Sequence, residues 1–574
     1  MLASSSANQT TLDAKDCSAW NPGVANGIPR EFASLETIYR SECVFVGADE
    51  LRELAGLTGL SQEELTVFRP ERMALHETIV RVTADIAVAE GDIEEVFGQN
   101  FRRIADRIRS DYIAPHMAQI ERAYAELRER SDAMVRRILA ETLFQEPARP
   151  AARPFPLNLW FGTKAPSVRA ESIQEREYRI ISGYKTAGLS AADPLERAVF
   201  RSLYRVLGAI TGRRGSLGSD QALLATLVTR HVCNSHGSQM IGREIAPLIE
   251  AAIVREGYAR IPDREAPVLI SLKGASAAGK SSLRPMIKQL MRENGIEPNG
   301  YATISPDVWR RLLLDYESLG AAYKYAGHLT SRELMVIDAK LDRYIREKAD
   351  RAKAIPHLLV DRFRFDSFSS QQITRVLHDT YAKYVATMYM YFIVTPPEET
   401  VERGWQRALE RGRYKAVEDF LGHCVEAYVG MPKLLFKWLA YPRFDYRYFF
   451  LDNRVPKGMF PKTIAFGNQA EMTIFDPAPL IDIVRYQKIN IHALRREAVY
   501  PNSGAATVAD NSGFLKECLR RIGVVTFVNG PLGNPYLRAR NGVFEVLDAA
   551  TLARVLHDSE TAPIICEIAP HLCR

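Results

Sequence analysis

The chain has 574 residues, of which 47% are hydrophobic and 25% are charged, and its formal net charge is +6. This composition is typical of a globular protein with room for three or four domains of ~150 residues. The charge excess is too small for this length to indicate a nucleic-acid-binding protein, and the absence of any apolar run of ~18 residues argues against a membrane span.

The cysteines and the N-terminal residues bear on the compartment. The seven cysteines are irregularly spaced and include no CxxC pair, so neither a disulfide framework nor a cysteine zinc site is expected. Reduced thiols in a cytosol are the default. Residues 1–11 are rich in Ser, Thr, Asn and Ala and do not have the pattern of a Sec signal. They are interpreted either as a frayed terminus or as a leader for contact-dependent bacterial secretion.

The pattern before residue 260 predicts helices after a disordered start. Residues 1–30 are small and polar and contain two prolines, and a proline-rich linker is predicted at 146–156. The clearest helical signal is an apolar stripe with spacing 4, 3, 4, 3, formed by Ile113, Met117, Ile120, Tyr124 and Leu127. This face either packs in an intramolecular bundle or docks a second protein, such as a chaperone or regulator.

From residue 266 the pattern changes to apolar strands that alternate with helices. The predicted strands are 267–272, 301–305, 355–360, 388–394, 524–529 and 542–547. Strands separated by helices predict a parallel sheet with helices on both faces. The predicted fold class is therefore α/β, a P-loop kinase-like sheet preceded by a largely α-helical N-terminal region.

The segment after the first strand matches the phosphate-binding motif G-x-x-x-x-G-K-[ST]. Its glycines let the backbone approach an anion, and its N–H groups point at phosphate with the positive end of the next helix behind them. Lys280 is expected at the β- and γ-phosphates of ATP or GTP, and Ser281 at Mg²⁺. The residues of this phosphate loop are Gly274, Ala275, Ser276, Ala277, Ala278, Gly279, Lys280, Ser281 and Ser282.

Two carboxylates follow predicted strands. Asp307 follows Ser305-Pro306 at the start of a helix, where a P-loop kinase has its acceptor side. It is a candidate general base for an acceptor hydroxyl, with simple compensation of the helix dipole as the alternative. Asp361 ends the strand His357-Leu-Leu-Val-Asp361 like a Walker B residue. It is either a Mg²⁺ ligand or an ordinary residue at a strand end.

The helix after the strand at 388–394 carries Arg403, Arg407 and Arg411 at intervals of four. Such a row lies along one side of a helix, where it could clamp phosphates and neutralise charge during transfer. The alternative is a solvated face. The chain has no N/T-K-x-D segment after the phosphate loop to recognise guanine, so a kinase is favoured over a GTPase.

The order of these features resembles the zeta-toxin-like kinases over residues 265–460. The resemblance implies that Lys280 and Ser281 bind ATP and Mg²⁺, that Asp307 activates a sugar hydroxyl, and that Arg403 and Arg407 contact phosphates. The long interval between Lys280 and Asp307 and the extensive N-terminal region look like the plant-pathogen type III effector branch. That branch phosphorylates NAD at the 3′-hydroxyl of its adenosine ribose. The rival is the UDP-N-acetylglucosamine kinase activity of the toxins proper.

The predicted organisation is a disordered segment (1–30), a helical domain (31–146), a linker and helical region (147–260), a P-loop kinase domain (261–490) and a C-terminal α/β extension (491–574). The primary hypothesis is an ATP-dependent kinase acting on NAD or a UDP-sugar, as a bacterial toxin or secreted effector with an antitoxin or chaperone partner. A nucleotide-gated binding protein without an acceptor is the second hypothesis. A polynucleotide 5′-kinase ranks third, because the sequence contains no basic, aromatic-lined channel. The expected location is the bacterial cytoplasm, or a host cell reached by type III secretion.

Overall fold

The computed structural model describes residues 17–91, 93–145, 171–362, 381–456, 458–500 and 507–573. The chain forms two compact units. One, the helical unit, contains Ser34–Thr78 and Asp106–Arg255, and the other, the sheet unit, contains Met1–Ala33, Ile79–Ala105 and Glu256–Arg574. The predicted linker at 146–156 and the first 16 residues lie outside the described residues. The boundaries of the five predicted segments stay predictions.

The helical unit follows local signals in its sequence. Asp193 accepts a hydrogen bond from the Glu196 amide and caps the helix Pro194–Arg214, which is followed by Gly215 with φ of +81°. Its core is apolar and includes the fully buried Leu203. The helices that lie mainly in this unit are Ala48–Thr58, Gln62–Leu65, Met117–Thr142, Ile173–Ser190, Pro194–Arg214, Gln221–Val232 and Ser238–Glu256, with π-helical turns at Ile108–Ile113 and Cys233–Gly237.

The apolar stripe of the first half lies on the long helix Met117–Thr142 and the turn before it. Ile113, Ile120, Tyr124 and Leu127 are all buried, and Leu127 belongs to the core of the helical unit. Burial within the chain favours the packed-helix interpretation over the docking interpretation.

The described strands of the sheet unit form one ten-stranded sheet. In chain order they are β1 (Val268–Lys273), β2 (Tyr301–Ile304), β3 (His357–Val360), β4 (Thr387–Val394), β5 (Asp445–Asp452), β6 (Lys462–Gly467), β7 (Glu471–Ile474), β8 (Val524–Val528), β9 (Pro535–Arg540) and β10 (Val543–Val546). Their order in the sheet is β10-β9-β8-β7-β6-β5-β4-β1-β3-β2.

The α/β fold with a helical N-terminal region is confirmed, but the sheet is mixed and not parallel throughout. The five strands β2-β3-β1-β4-β5 are parallel. From β5 onward the pairs are antiparallel, except for the parallel pair β7 and β8. The difference has a simple cause, because the connections within β5 to β7 and within β8 to β10 are nine residues or shorter, and a parallel crossover needs a dozen or more.

Helices lie in the connections from β1 to β2, from β2 to β3 and from β4 to β5, and all six residues of β1 are buried between β3 and β4. The carboxyl ends of β1, β2 and β3 therefore open on the same edge of the sheet. The helices of this unit are Arg284–Glu293, Arg310–Leu313, Ala326–Leu329, Ser331–Ala352, Pro397–Arg411, Val417–Leu439, Ala478–Arg485, Val508–Asn511, Gly513–Arg521, Ala549–Val555 and Ala562–Ile568; Pro70–Asp85 and Glu94–Arg107 contain residues of both units.

One further contact involves the N-terminal segment. Trp20 donates from its indole nitrogen to Glu402 at 2.8 Å, in the part of the predicted disordered segment that the structure describes.

Cys566 and Cys573 form a disulfide, so the expectation of reduced thiols is wrong for this pair. Its cysteines are seven positions apart, and no CxxC pattern marks them in the sequence. No helix among the described residues is both long and apolar enough to cross a bilayer.

Candidate active site

The phosphate loop adopts a conformation that depends on its second glycine. Gly279 has φ of +94°, a region that favours glycine. A Cβ atom placed there would come within 2.1 Å of the Asn453 side-chain nitrogen. That nitrogen donates to the Ala278 carbonyl at 2.6 Å, and the Thr395 hydroxyl donates to the same oxygen at 3.0 Å. The ends of β4 and β5 thus support the loop from outside the motif.

Lys280 is folded back over its own loop. Its ammonium group donates to the carbonyls of Gly274 and Ala275, both at 3.3 Å, and lies 4.0 Å from the Asp361 carboxylate. The Lys280 side chain is 13% exposed and the Asp361 side chain 11%, so this pair is well shielded from solvent. A lysine held here can exchange its carbonyl partners for phosphate oxygens without a large movement.

A cavity of about 460 Å³ opens above the loop. Its volume lies within the range of small-molecule binding sites, ~300–1,000 Å³. Gly274 and Ala275 are buried beneath it and Ser282 is exposed in the turn that follows. The predicted site residues that line this cavity are Ser276, Ala277, Ala278, Gly279, Lys280, Ser281, Asp307, Asp361 and Arg407.

Asp307 lies between two arginines on the cavity wall. Arg310 donates from Nε to one carboxylate oxygen at 2.9 Å, and Arg413 donates from Nη2 to the other at 2.6 Å. Burial opposes ionisation, but the charges and hydrogen bonds of Arg413 and Arg310 outweigh it and hold the pKa of Asp307 well below its ordinary value. The side chain is still 41% exposed, so it is open to a molecule in the cavity.

Asp361 lies just beyond β3, where its backbone amide donates to the carbonyl of Ile304 in β2 at 2.9 Å. Burial raises the pKa of its carboxyl above the ordinary value; the nearby Glu94 adds to this shift, and Lys280 opposes it. A cation near Asp361 would favour its ionised form.

The arginine row of the helix Pro397–Arg411 does not stay on one side of the site. Arg407 lines the cavity, Arg403 donates from Nη2 to the carbonyls of Asn453 and Val455 at 2.8 and 3.1 Å, and Arg411 lines a narrower cleft beside Asp307. Four residues turn an α-helix by 40° more than a full circle, at about 100° per residue, so a row at this spacing winds around the axis. The structure therefore places Arg407 with the loop residues on the cavity wall, whereas Arg403 binds the carbonyls of Asn453 and Val455 and is not among the cavity-lining residues.

Arg407 has features of an anion-binding residue. Burial lowers the pKa of its guanidinium to about 10, and the nearby charge of Arg413 contributes, so the group stays charged at neutral pH. Its Nε is buried without a hydrogen-bond partner among the described residues. Such a donor is costly to leave unpaired, so a phosphate oxygen would be a favourable partner.

Sequence reasoning missed several cavity residues, among them two that follow the arginine row and one that lies in the insert. Arg413 and Lys415 come from the short loop after the helix Pro397–Arg411, and His328 comes from the insert between β2 and β3. His328 Nε2 lies 3.0 Å from the Asp419 carboxylate, which lines the same cavity. Arg413 and Lys415 could have been predicted from the basic segment Arg411-Gly-Arg-Tyr-Lys415. A basic loop directly after a helix can fold over a neighbouring anion site.

The most distant missed residue is Glu94, which lines the cavity from the start of the helix Glu94–Arg107. The Ser305 hydroxyl donates to its carboxylate at 3.3 Å, and Arg413 lies 4.0 Å from it. Nearby, Glu90 accepts a hydrogen bond from the buried Arg284 at 2.9 Å. Glu94 is thus part of the cavity wall, and nothing in the local sequence pattern indicates this.

The donor set suits Mg²⁺ as kinases hold it. Ser281 offers a hydroxyl and Asp361 a carboxylate on the same cavity, and Mg²⁺ commonly takes one or two carboxylates together with substrate phosphates and waters. Within the described part of the chain no cluster of three or more His, Cys, Asp or Glu residues could hold a metal by itself. A metal here would therefore depend on the nucleotide.

Comparison with known proteins indicates a kinase family. The family model for zeta toxin matches residues 252–428. No curated protein matches the chain. The zeta toxin match covers the phosphate loop, Asp307, Asp361 and Arg407, and it leaves out Glu94 and Asn453. It supports a zeta-toxin-like P-loop kinase, hence a phosphotransferase with ATP as the implied donor and Mg²⁺ as the expected metal.

Proposed function

We propose that the chain is an ATP-dependent kinase that phosphorylates a ribose or sugar hydroxyl of a nucleotide metabolite, with NAD as the first acceptor to test. One observation carries the proposal. The phosphate-loop residue Lys280 and the two carboxylates Asp307 and Asp361 line a single cavity. In a kinase the phosphate-loop lysine and a metal-binding carboxylate hold the donor, and a second carboxylate accepts the proton of the acceptor hydroxyl.

In the proposed reaction the loop amides and Lys280 bind the phosphates of ATP. The acceptor oxygen bonds to the γ-phosphorus, the bond to the β–γ bridging oxygen breaks, and the hydroxyl proton passes to Asp307. Asp307 is a weak base, but the transition state of phosphoryl transfer is loose and requires little activation of the nucleophile. Arg407 neutralises charge on the transferring group. Ser281 and Asp361 would hold Mg²⁺, which supplies further neutralisation on the β- and γ-phosphates.

The acceptor side favours an anionic molecule. Arg310, Arg413 and Lys324 all line the cavity, and their positive charges complement a diphosphate. Both NAD and UDP-N-acetylglucosamine carry a diphosphate, so charge alone does not choose between them. NAD is preferred because a long N-terminal region precedes the phosphate loop, as in the effector branch that the sequence resembles.

The biological role proposed is that of a toxin or secreted effector, delivered by a type III system and held by an antitoxin or chaperone until it acts. The polar N-terminal residues support delivery. If this role is right, production of the chain in a bacterium should arrest growth, and the variant Asp307→Asn should not. Equal growth of the two strains at equal protein levels would contradict it.

The acceptor can be named by one experiment. The protein is incubated with γ-labelled ATP, Mg²⁺ and each of NAD, NADP, UDP-N-acetylglucosamine and an RNA oligonucleotide, and the labelled product is identified by mass spectrometry. Label on the adenosine ribose of NAD is the expected result, and label on the sugar of UDP-N-acetylglucosamine would favour the zeta-toxin-type activity. ATP binding without any labelled acceptor, but with nucleotide-dependent binding of a partner protein, would favour the nucleotide-gated binding protein.

A further inference from the structure

Lys415 has no role in the motifs described so far, yet it reaches the phosphate loop. It lies in the loop between the helices Pro397–Arg411 and Val417–Leu439 and lines the cavity. Its ammonium nitrogen is 3.4 Å from the Ser276 hydroxyl, within the phosphate loop. It also contacts Nδ1 of His423. A cation at this point faces the space that the phosphates of a nucleotide would enter.

The groups around Lys415 come from three elements. Asp419 and His423 belong to the helix that follows it, Arg407 to the helix that precedes it, and Asp307 with Arg310 to the turn after β2. Burial lowers the pKa of the Lys415 amine to about 7; Asp419 opposes this shift, and the positive charge of Arg407 adds to it. A phosphate brought against the amine would favour the charged form.

We infer that Lys415 binds the phosphates of ATP together with the phosphate loop, and that it takes up a proton from solvent when the nucleotide binds. The inference rests on the proposed function, because it requires ATP in this cavity. The geometry supports it independently of the motif, since Lys415 lines the same cavity as Lys280 and its ammonium nitrogen lies 3.4 Å from the Ser276 hydroxyl. Arg407 and Lys415 would then share the negative charge of one polyphosphate.

The test is isothermal titration calorimetry of the full chain with Mg–ATP, without acceptor, in several buffers of different ionisation enthalpy at about pH 8. The slope of the observed enthalpy against the buffer enthalpy gives the protons taken up. For a group with a pKa near neutral that becomes fully charged, we expect an uptake approaching ~1 proton per ATP. Above pH ~7.5 the γ-phosphate of Mg–ATP is itself fully ionised, so it adds little to this value.

The informative variant is Lys415→Arg, because arginine keeps its proton at any working pH. It should bind ATP within about tenfold of the wild-type affinity, with the proton uptake abolished. Lys433→Arg, at an exposed position of the following helix, is the matched control and should keep the wild-type uptake. If Lys415→Arg does not fold, Lys415→Met is used, for which we expect lost uptake and weaker binding.

The outcomes separate the two proposals. ATP binding by the wild type without proton uptake, or with an uptake that persists in Lys415→Arg, overturns the inference and leaves the kinase proposal standing. Persistent uptake would place the proton on another group, such as His328 or His423. Failure of the folded wild-type protein to bind Mg–ATP at all would instead overturn the nucleotide-binding function on which the inference rests.

Discussion

The phosphate loop and the wall that faces it are built in different ways. The loop is nine consecutive residues whose shape follows from two glycines and a strand-to-helix turn. The facing wall is assembled from distant segments, since Arg413 reaches Asp307 across 106 positions and Ser305 reaches Glu94 across 211. A binding site made of backbone groups can be encoded in one short string, whereas a wall of charged side chains depends on the whole fold.

The largest loss of activity is expected on substitution of Asp307, which lies on the wall that faces the phosphate loop. Asp307→Asn keeps the size of the side chain and removes the proton acceptor, so kcat should fall by ~10²–10⁴-fold, the usual contribution of a general base. Binding of ATP should change little, because the loop is untouched. Steady-state kinetics on the acceptor and ATP titration measure the two effects, with the exposed Asp315→Asn as control. Near-native turnover of Asp307→Asn would exclude its role as the base.

The loop itself is tested by Gly279→Ala. The added Cβ would meet Asn453 at 2.1 Å and the residue would have to keep φ of +94°, so the loop must move. A shift of about 1 Å in a binding element can cost ~10²-fold, and here we expect the loss in ATP affinity. Gly422→Ala is the control, because a Cβ there meets nothing within 4 Å. Equal ATP affinity of the two variants would show that a Cβ at position 279 does not disturb nucleotide binding by the loop.

The helix Pro397–Arg411 carries one arginine that lines the cavity and one that does not. Substitution of Arg407 and of Arg403 should therefore have different effects. Arg407→Met removes a cavity cation and should lower kcat by ~10–100-fold, the range for a hydrogen bond to a charged group, with little change in the unfolding temperature. Arg403→Met leaves the carbonyls of Asn453 and Val455 without this donor and should mainly lower the unfolding temperature. Kinetics and thermal unfolding of both variants separate the roles. If both variants changed kcat and the unfolding temperature in the same way, the two arginines would not have the different roles assigned to them.

The smallest effect is expected at the most distant part of the wall. Glu94→Gln removes a charge near Arg413 and weakens the hydrogen bond from Ser305, so kcat/KM should fall by ~2–10-fold, as for one ordinary hydrogen bond. Glu297→Gln, at an exposed position away from the cavity lining, is the control and should remain near wild type. If Glu94→Gln has no effect while Asp307→Asn does, the upstream segment shapes the cavity without taking part in its chemistry.

The sequence predicted what local patterns determine. β1 and β4 were found within one residue at each end, because each is an apolar run that a turn or proline terminates. The strand directions beyond β5 were less predictable. Whether two strands pair parallel or antiparallel depends on how they meet in the fold, which the sequence of one strand does not determine. Glu94 could not be found because an isolated acidic residue at a helix start is common. The Cys566–Cys573 pair was missed for a similar reason, as proximity in space leaves no mark on the sequence.

The parallel pairing of β7 with β8 has a practical consequence. β8 belongs to the C-terminal region, well past the end of the zeta toxin match, and it covers one side of β7 along Glu471–Ile474. A protein shortened to the kinase-like part would expose a row of amide and carbonyl groups on β7, and such an uncovered edge recruits other chains. Shortened forms that end before Val524 should therefore precipitate or self-associate when they are purified, even with every phosphate-loop residue in place.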